Sequence, residues 1–246
     1  MPIALVTGAQ QGIGAAIAEA LARDGADVAL NWLDDGAAAE RGAAAIRALG
    51  RRAVAIQADV GTPGGRAALQ AGCESALGVP DILVCNAGIF PRADFLSVTE
   101  AEWDSVLGIN LKAVAFQAQL FARALGQGGA GRPGVILTLS SSATRGDPRG
   151  VAYSASKAGL LGLTRSLALA LAPAIRVNCI APGLTDTAQP RGAATEAELH
   201  ARAAGFPIPR IGTPADIGEL AAFLCSPRAA WITGQLHHVN GGMWMP

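Results

Sequence analysis

Hydrophobic and polar positions follow two alternating regimes along this chain. Short uninterrupted apolar runs predict buried strands at Ile3–Thr7, Val28–Asn31, Ala53–Gln57, Ile82–Cys85, Val135–Leu139, Ile175–Ile180 and Leu236–Val239. Between them lie longer, Ala-rich stretches with helix start and stop signals. These predict helices at Gly12–Asp24, Gly36–Leu49, Pro63–Leu77, Val151–Leu171 and Pro214–Leu224, and one long helix within Thr99–Leu125. Gly25, Gly50 and Pro173 supply the stops. Strands without polar alternation must be covered on both faces, which calls for a parallel sheet. Right-handed crossovers then wind it in both directions, giving a doubly wound α/β sheet with helices on both faces. No linker or repeat divides residues 1–246, so one domain is expected. Gly183–Arg210, with Pro190, Pro207 and Pro209, carries no pattern and is expected to act as a substrate loop or lid.

Composition narrows the function classes. Of 246 residues, 51% are hydrophobic and 15% charged, so a packed core is expected rather than disorder. Nineteen basic residues balance nineteen acidic ones, which argues against a nucleic-acid partner. Near-zero charge with positive mean hydropathy suggests that apolar surface is hidden in an oligomer. Cys73, Cys85, Cys179 and Cys225 have neither metal-ligand nor disulfide spacing, so no metal is expected. No run is long enough to span a membrane, and no basic segment precedes the first apolar stretch. A cytoplasmic address follows as the expectation.

Two local patterns carry chemistry. The first strand runs directly into Thr7-Gly8-Ala9-Gln10-Gln11-Gly12-Ile13-Gly14 and then a helix. Glycines there allow a tight turn and let backbone N–H groups approach a pyrophosphate, which the helix N-terminus also favours. Tyr153, the single tyrosine, stands four residues before Lys157 on one helix face. A nearby lysine cation is expected to lower the phenol's pKa from about 10, making it a workable acid/base.

Taken with ADV at 58–60, CNAG at 85–88, Asn110, the serines of LTLSSS, YSASK at 153–157 and APGLTDT at 181–187, the chain resembles the short-chain dehydrogenase/reductase family over nearly its whole length. The resemblance implies a Rossmann-like seven-stranded sheet, usually in a homotetramer or homodimer. It implies that Gly8, Gln10, Gln11, Gly12, Ile13 and Gly14 hold the dinucleotide phosphates, with Asn31, Trp32 and Leu33 beside the adenosine ribose. Asp59 would meet the adenine amino group and Val60 its ring. Asn86, Ala87 and Gly88 would form the cofactor floor, and Pro182, Gly183, Thr185 and Thr187 the nicotinamide end. Tyr153 would be the acid/base, Lys157 would also bind the nicotinamide ribose, and Asn110 would anchor a water relay. The pattern departs at Cys85, where the family usually has asparagine. The carbonyl-polarising serine is Ser140 by its distance from Tyr153 and Ser141 by strand register.

Strand two ends in Asn31-Trp32-Leu33-Asp34-Asp35, without a cation, and Gln11 stands where NADP-preferring relatives often carry Arg or Lys. NAD is therefore expected over NADP, although Asn31 replaces the usual acid. The implied activity is hydride transfer between nicotinamide and a small-molecule carbonyl or secondary alcohol, such as a sugar, polyol or other hydroxy compound. A 3-oxoacyl-thioester reductase using NADPH is the alternative within the class. A non-catalytic nucleotide-sensing protein is the alternative outside it. Arg191, Arg202 and Arg210 in the unpatterned segment are candidate contacts for a phosphopantetheine or carboxylate. Arg51-Arg52 reads as an ordinary surface pair.

Overall fold

The computed structural model describes residues 1–127 and 132–246. Seven strands form one parallel sheet: β1 (Ile3–Val6), β2 (Asp27–Trp32), β3 (Ala53–Gln57), β4 (Ile82–Cys85), β5 (Gly134–Leu139), β6 (Ile175–Pro182) and β7 (Leu236–Val239). Their spatial order is β3-β2-β1-β4-β5-β6-β7. The winding direction reverses between β1 and β4, and every neighbouring pair is parallel. A crevice opens at such a reversal, outside the carboxyl ends of the strands.

The side-chain period of two sorts each strand onto two helical layers. Val6, Leu30, Val84, Leu137 and Ile180 face α1 (Gly12–Arg23), α2 (Gly36–Ala48) and α9 (Pro214–Cys225), meeting Ile17, Leu21, Ile46 and Ile217. Leu5, Leu83, Ile136 and Val177 face the other way, onto α3 (Pro63–Ala76), α5 (Ala113–Gln127) and α6 (Val151–Ala170), where Leu69, Phe121 and Leu160 cover them. Both faces are dry, which is why the strands show no polar alternation.

Three expectations are corrected. The long helix within Thr99–Leu125 is two helices: α4 (Glu100–Leu107) starts at a Thr99–Glu102 capping box, and a π turn (Gly108–Lys112) joins it to α5. The apolar positions remain compatible with one helix through the junction, so periodicity conceals the extra residue per turn. The segment Gly183–Arg210 is not structureless. It holds α7 (Ala188–Arg191) and α8 (Glu196–Ala203), the latter started by a Thr195–Glu198 capping box. Arg51 and Arg52 are not an ordinary surface pair: both donate to the carboxylate of Asp27, which is 2% exposed on its side chain, at 2.8 Å. The Asp27 carboxyl is nevertheless held below its usual range, because hydrogen bonds from Arg52 and Arg51 outweigh a burial effect that raises it.

Candidate active site

The glycine loop leaves β1 at the crevice. Gly8 and Gly12 take positive φ, +60° and +59°, where other residues are strained. A Cβ on Gly14 would lie 2.3 Å from the Gly8 carbonyl oxygen and 2.5 Å from Asn86 Nδ2, so only a bare backbone fits. Two side chains, buried Thr7 and half-buried Asn86, brace this turn. Asn86 Nδ2 donates to the carbonyls of Thr7 and Gly8 at 3.0 and 2.9 Å, and Thr7 Oγ1 accepts from the backbone N–H groups of Asn86 and Ala87. Asn31, only 2% exposed, accepts from Gly8 N–H at 3.1 Å and donates to the Ala58 carbonyl at 2.9 Å. The Asn31 side chain is thus spent on holding the loop against β2 and β3. It does not face the crevice as a ribose contact would, which corrects that expectation.

At the far end of the loop, Gln10 accepts from Leu33 N–H at 3.0 Å and donates to Asp34. Asp35 caps α2 through Ala38 N–H. Trp32 lies against Gly36 in the first turn of α2, which has room for no Cβ there. Gln11 and Leu33 are exposed, as is Asp59, whose Oδ1 accepts from Gly61 N–H at 2.8 Å. The loop therefore presents open amides and a helix N-terminus suited to a pyrophosphate, with an acidic rather than basic neighbour at the adenosine end.

A cavity of about 480 Å³ continues from the loop beneath α7 and α8. It is bordered by Ile13, Asn86 and Gly88 on one side and by Pro182, Gly183, Thr185 and Thr187 on the other. Ser141, Tyr153 and Lys157 converge on its wall. Both Tyr153 and Lys157 sit on α6, one helical turn apart, and both are buried. Lys157 Nζ donates to the Leu139 carbonyl at 2.6 Å and lies 5.6 Å from the centre of the Tyr153 ring. Burial pushes the Lys157 ammonium down to about 8.

Burial also pushes the Tyr153 phenol above its ordinary value, against opposing pulls from Ser141, Gln189 and Arg92 that lower it. The expectation of a lysine-lowered phenol is not met in this geometry. Lys157 is spent on Leu139, and desolvation of the phenolate is the larger effect.

The two serines border the same cavity but are held differently. Even positions of β5 face α6: Thr138 Oγ1 bonds Thr164 Oγ1 at 2.9 Å, and Ser140 Oγ donates to the Lys157 backbone carbonyl at 2.8 Å. Ser140 is thereby buried under α6. Ser141 lies past the strand end, accepts from Ala143 N–H at 3.1 Å, and faces the Tyr153 hydroxyl. Ser142 begins a short 3₁₀ turn and is buried. Asn110, fully buried in the π turn, accepts from Ile89 N–H at 2.8 Å and donates to the Ile89 carbonyl and to Ser156 Oγ. Ser156 in turn donates to the Tyr153 carbonyl at 2.7 Å. Asn110 thus ties the loop after β4 to α6 and does not touch Lys157 directly. Gly88 fills the corner between them, since a Cβ there would be 3.0 Å from Asn110 Oδ1 and 3.5 Å from Lys157 Nζ.

No sequence pattern marks the residues that cover Tyr153. Phe90 stacks on its ring with centroids 4.1 Å apart, and the Arg92 guanidinium lies 4.4 Å over Phe90. Gln189 approaches the phenol from α7. All three come from loops or short elements without periodicity. Only Gly150, which leaves room for the Phe90 ring at the start of α6, is a sequence trace of this packing. Of the three candidate arginines, Arg191 is paired with Asp186 and Arg210 with Asp216, while Arg202 borders the cavity.

Comparisons with known proteins agree with this fold. The family model described as enoyl-(acyl carrier protein) reductase matches residues 8–244. The chain is 40% identical to the 3-oxoacyl-(acyl-carrier-protein) reductase FabG of Staphylococcus aureus, over 98% of both chains. A short-chain dehydrogenase from Burkholderia cenocepacia in complex with NADP superposes with a TM-score of 0.90 at 40% identity, covering 98% of this chain and 97% of that one. A 7α-hydroxysteroid dehydrogenase complexed with NADH and 7-oxo glycochenodeoxycholic acid superposes with a TM-score of 0.91 at 35% identity, covering 98% of this chain and 93% of that one. Among the described residues, no helix is long and apolar enough to cross a membrane. On the fold, the glycine loop and these matches together, the chain belongs to the short-chain dehydrogenase/reductase family of NAD(P)-dependent oxidoreductases.

Proposed function

We propose that the chain interconverts a secondary alcohol and its carbonyl at the wall where Ser141, Tyr153 and Lys157 converge. That convergence, on a cavity opening from the glycine loop, is the observation that carries the reading. The glycine-loop amides would hold the dinucleotide, with Gly88, Pro182, Gly183, Thr185 and Thr187 around its nicotinamide end. When bound, the nicotinamide supplies or accepts the hydride. The protein supplies the rest. Ser141 Oγ donates to the substrate oxygen and holds it in line with the phenol. Tyr153 gives its proton to that oxygen in reduction and takes it back in oxidation. Lys157, one turn away, provides a cation that stabilises the phenolate once formed. Asn110 is a positioning residue, since it acts through the Ile89 backbone and Ser156.

NAD is the proposed cofactor. Support comes from the acidic side chain at the adenosine end, Asp34, held by Gln10, and the absence of a cation from strand two's end. Saturable NADH binding at least about tenfold tighter than NADPH is expected; the reverse order overturns this preference. A sugar, polyol or other hydroxy compound is the proposed substrate type. The 40% identity to a 3-oxoacyl-thioester reductase keeps that activity as the second reading. Turnover of acetoacetyl-CoA with NADPH, and of no free alcohol with NAD, would select it. A cytoplasmic homotetramer or homodimer, and closure of 183–210 over the substrate, belong to the same proposal.

The decisive test is Tyr153→Phe. The variant should bind cofactor as the wild type does and lose at least about a hundredfold in kcat. Equal rates would remove Tyr153 from the chemistry, and binding without turnover in both proteins would favour the nucleotide-sensing alternative.

A further inference from the structure

The outer end of the catalytic cavity is strongly cationic in a chain whose formal net charge is zero. Arg92, Arg145 and Arg202 border it, against the single carboxylate of Asp147. Among the described residues none of the three arginines is ion-paired, whereas Arg191 and Arg210 nearby are neutralised by Asp186 and Asp216. Glu198, a turn before Arg202 on α8, is committed to the capping box with Thr195. Asp147 accepts from Arg149 N–H. Carboxylates in this segment are thus used elsewhere, which leaves these guanidinium groups without a carboxylate partner; Arg92 donates to the Gln189 backbone carbonyl at 3.5 Å.

Position identifies what they face. Arg92 stacks on Phe90, and Phe90 on Tyr153, so the guanidinium sits two layers from the phenol that meets the reacting oxygen. Among the described residues, the glycine loop contributes only Ile13 to this cavity, so the cations do not lie along the pyrophosphate cradle. A guanidinium presents donors in a planar fork that matches carboxylate or phosphate oxygens.

We propose that Arg92 and Arg202, with Arg145 at the rim, select substrates that carry an anionic group, a carboxylate or a phosphate, a few bonds from the reacting carbonyl or alcohol. This rests on the oxidoreductase reading above and adds the substrate's charge to it. Arg92 is held over the Phe90 ring and against the Gln189 carbonyl, which limits the freedom lost when it pairs with an anion. Arg202 is carried by α8, so movement of that helix toward the cavity would bring a second guanidinium to the same group.

The test compares matched substrates with the preferred reduced cofactor: levulinate against methyl levulinate, and dihydroxyacetone phosphate against dihydroxyacetone. Wild-type kcat/KM should favour the charged member of at least one pair by about tenfold or more, carried mainly by KM. The pair that shows it tells carboxylate from phosphate. Arg92→Gln and Arg202→Gln should each reduce that preference severalfold, and together abolish it. Both residues are exposed, so the fold should survive replacement. Titration of the enzyme–NADH complex by fluorescence reads the same preference as binding where turnover is slow. Equal kcat/KM within both pairs, a preference that survives both replacements, or reduction of neutral ketones with no binding of either anion overturns the proposal. Failure of the wild type to reduce any carbonyl overturns the oxidoreductase reading beneath it as well.

Discussion

Replacing Ser140 and Ser141 separately by alanine should split stability from catalysis between adjacent residues. Ser140 is 4% exposed, and its Oγ makes one hydrogen bond, to the Lys157 backbone carbonyl at 2.8 Å. That carbonyl is within α6 and keeps its helical partner, so Ser140→Ala removes a neutral buried hydrogen bond worth about 1 kcal/mol. For a chain of this size the loss corresponds to roughly 2–4 °C in Tm, with turnover changed by no more than a few-fold. Ser141 is half-buried, faces the Tyr153 hydroxyl and lines the cavity. Its structural bond is acceptance from Ala143 N–H in a half-buried local turn, so Ser141→Ala should move Tm by no more than Ser140→Ala does. Loss of a donor aimed at a developing oxyanion costs about a hundredfold to a thousandfold in kcat. Steady-state kinetics and thermal unfolding on the three proteins decide the matter. A kcat collapse in Ser140→Ala with an active Ser141→Ala would refute the assignment. Two mild variants would show that neither hydroxyl polarises the carbonyl.

Four further outcomes are expected. Gly150→Ala would place a Cβ 2.2 Å from the Phe90 ring, displacing it from Tyr153; kcat/KM should fall by about tenfold while cofactor affinity holds, and an unchanged kcat/KM would show the stack to be dispensable. Gly14→Ala drives a Cβ into the Gly8 carbonyl and Asn86, so cofactor binding measured by fluorescence should weaken by more than about tenfold, and unaltered binding would count against the loop. Burial holds the Tyr153 proton above its ordinary range, so the phenol keeps it throughout neutral and mildly alkaline pH: carbonyl reduction should hold its rate from about pH 7 to 9, while alcohol oxidation, which needs the phenolate, should climb toward pH 10, and a reduction rate that falls severalfold by pH 9 or a flat oxidation profile would contradict the reading. Lys157 has a folded pKa of about 8 against an ordinary 10.5, so the folded state opposes its charge by about 3 kcal/mol at neutral pH; the hydrogen bond to Leu139 offsets part, and Lys157→Met should be inactive yet about 1–2 kcal/mol more stable at pH 7, the advantage shrinking between pH 8 and 10.5 because the unfolded wild type binds the extra proton there, whereas a pH-independent difference in urea unfolding would refute this.

The architecture was legible because burial on both sides leaves a plain mark. Val28–Asn31, Ile82–Cys85 and Leu236–Val239 read as strands from apolar continuity alone, and glycines and prolines punctuated the helices between them. What escaped depends on contacts distant in sequence. Arg51 and Arg52 look like solvated charges until β2 brings Asp27 beside them. Asn31 looked like a deficient ribose ligand, yet its amide spans from Gly8 to Ala58, which only the closed sheet makes neighbours. The different directions of the two serines were legible in principle. The alternation that sends Leu137 and Leu139 toward α1 sends Thr138 and Ser140 toward α6, leaving Ser141 as the residue that emerges past the strand. The cover over Tyr153 was not resolvable, because Phe90 and Arg92 lie in a loop without repeat or spacing.

Three departures from ordinary protein economy meet at this one cavity, and their coincidence argues for function without reference to any motif. An ammonium is buried and held to about 8 although a methionine would fill the same space without desolvating a charge. A π turn interrupts the run from α4 to α5 and sets Asn110 fully buried against Ile89 and Ser156. A helix begins at Gly150 without a side-chain cap, because a Cβ there would collide with the ring that covers Tyr153. Away from this crevice the rules hold: α2, α3, α4, α8 and α9 have side-chain caps, whereas α1 and α7, which start at the crevice, have none. Each departure taken alone opposes folding or leaves it no stronger. Placed together, they fix a phenol, a cation and a hydroxyl around one opening. A core built for stability alone has no reason to concentrate its local sacrifices at one wall, whereas a site that must hold a proton donor ready for a substrate oxygen does.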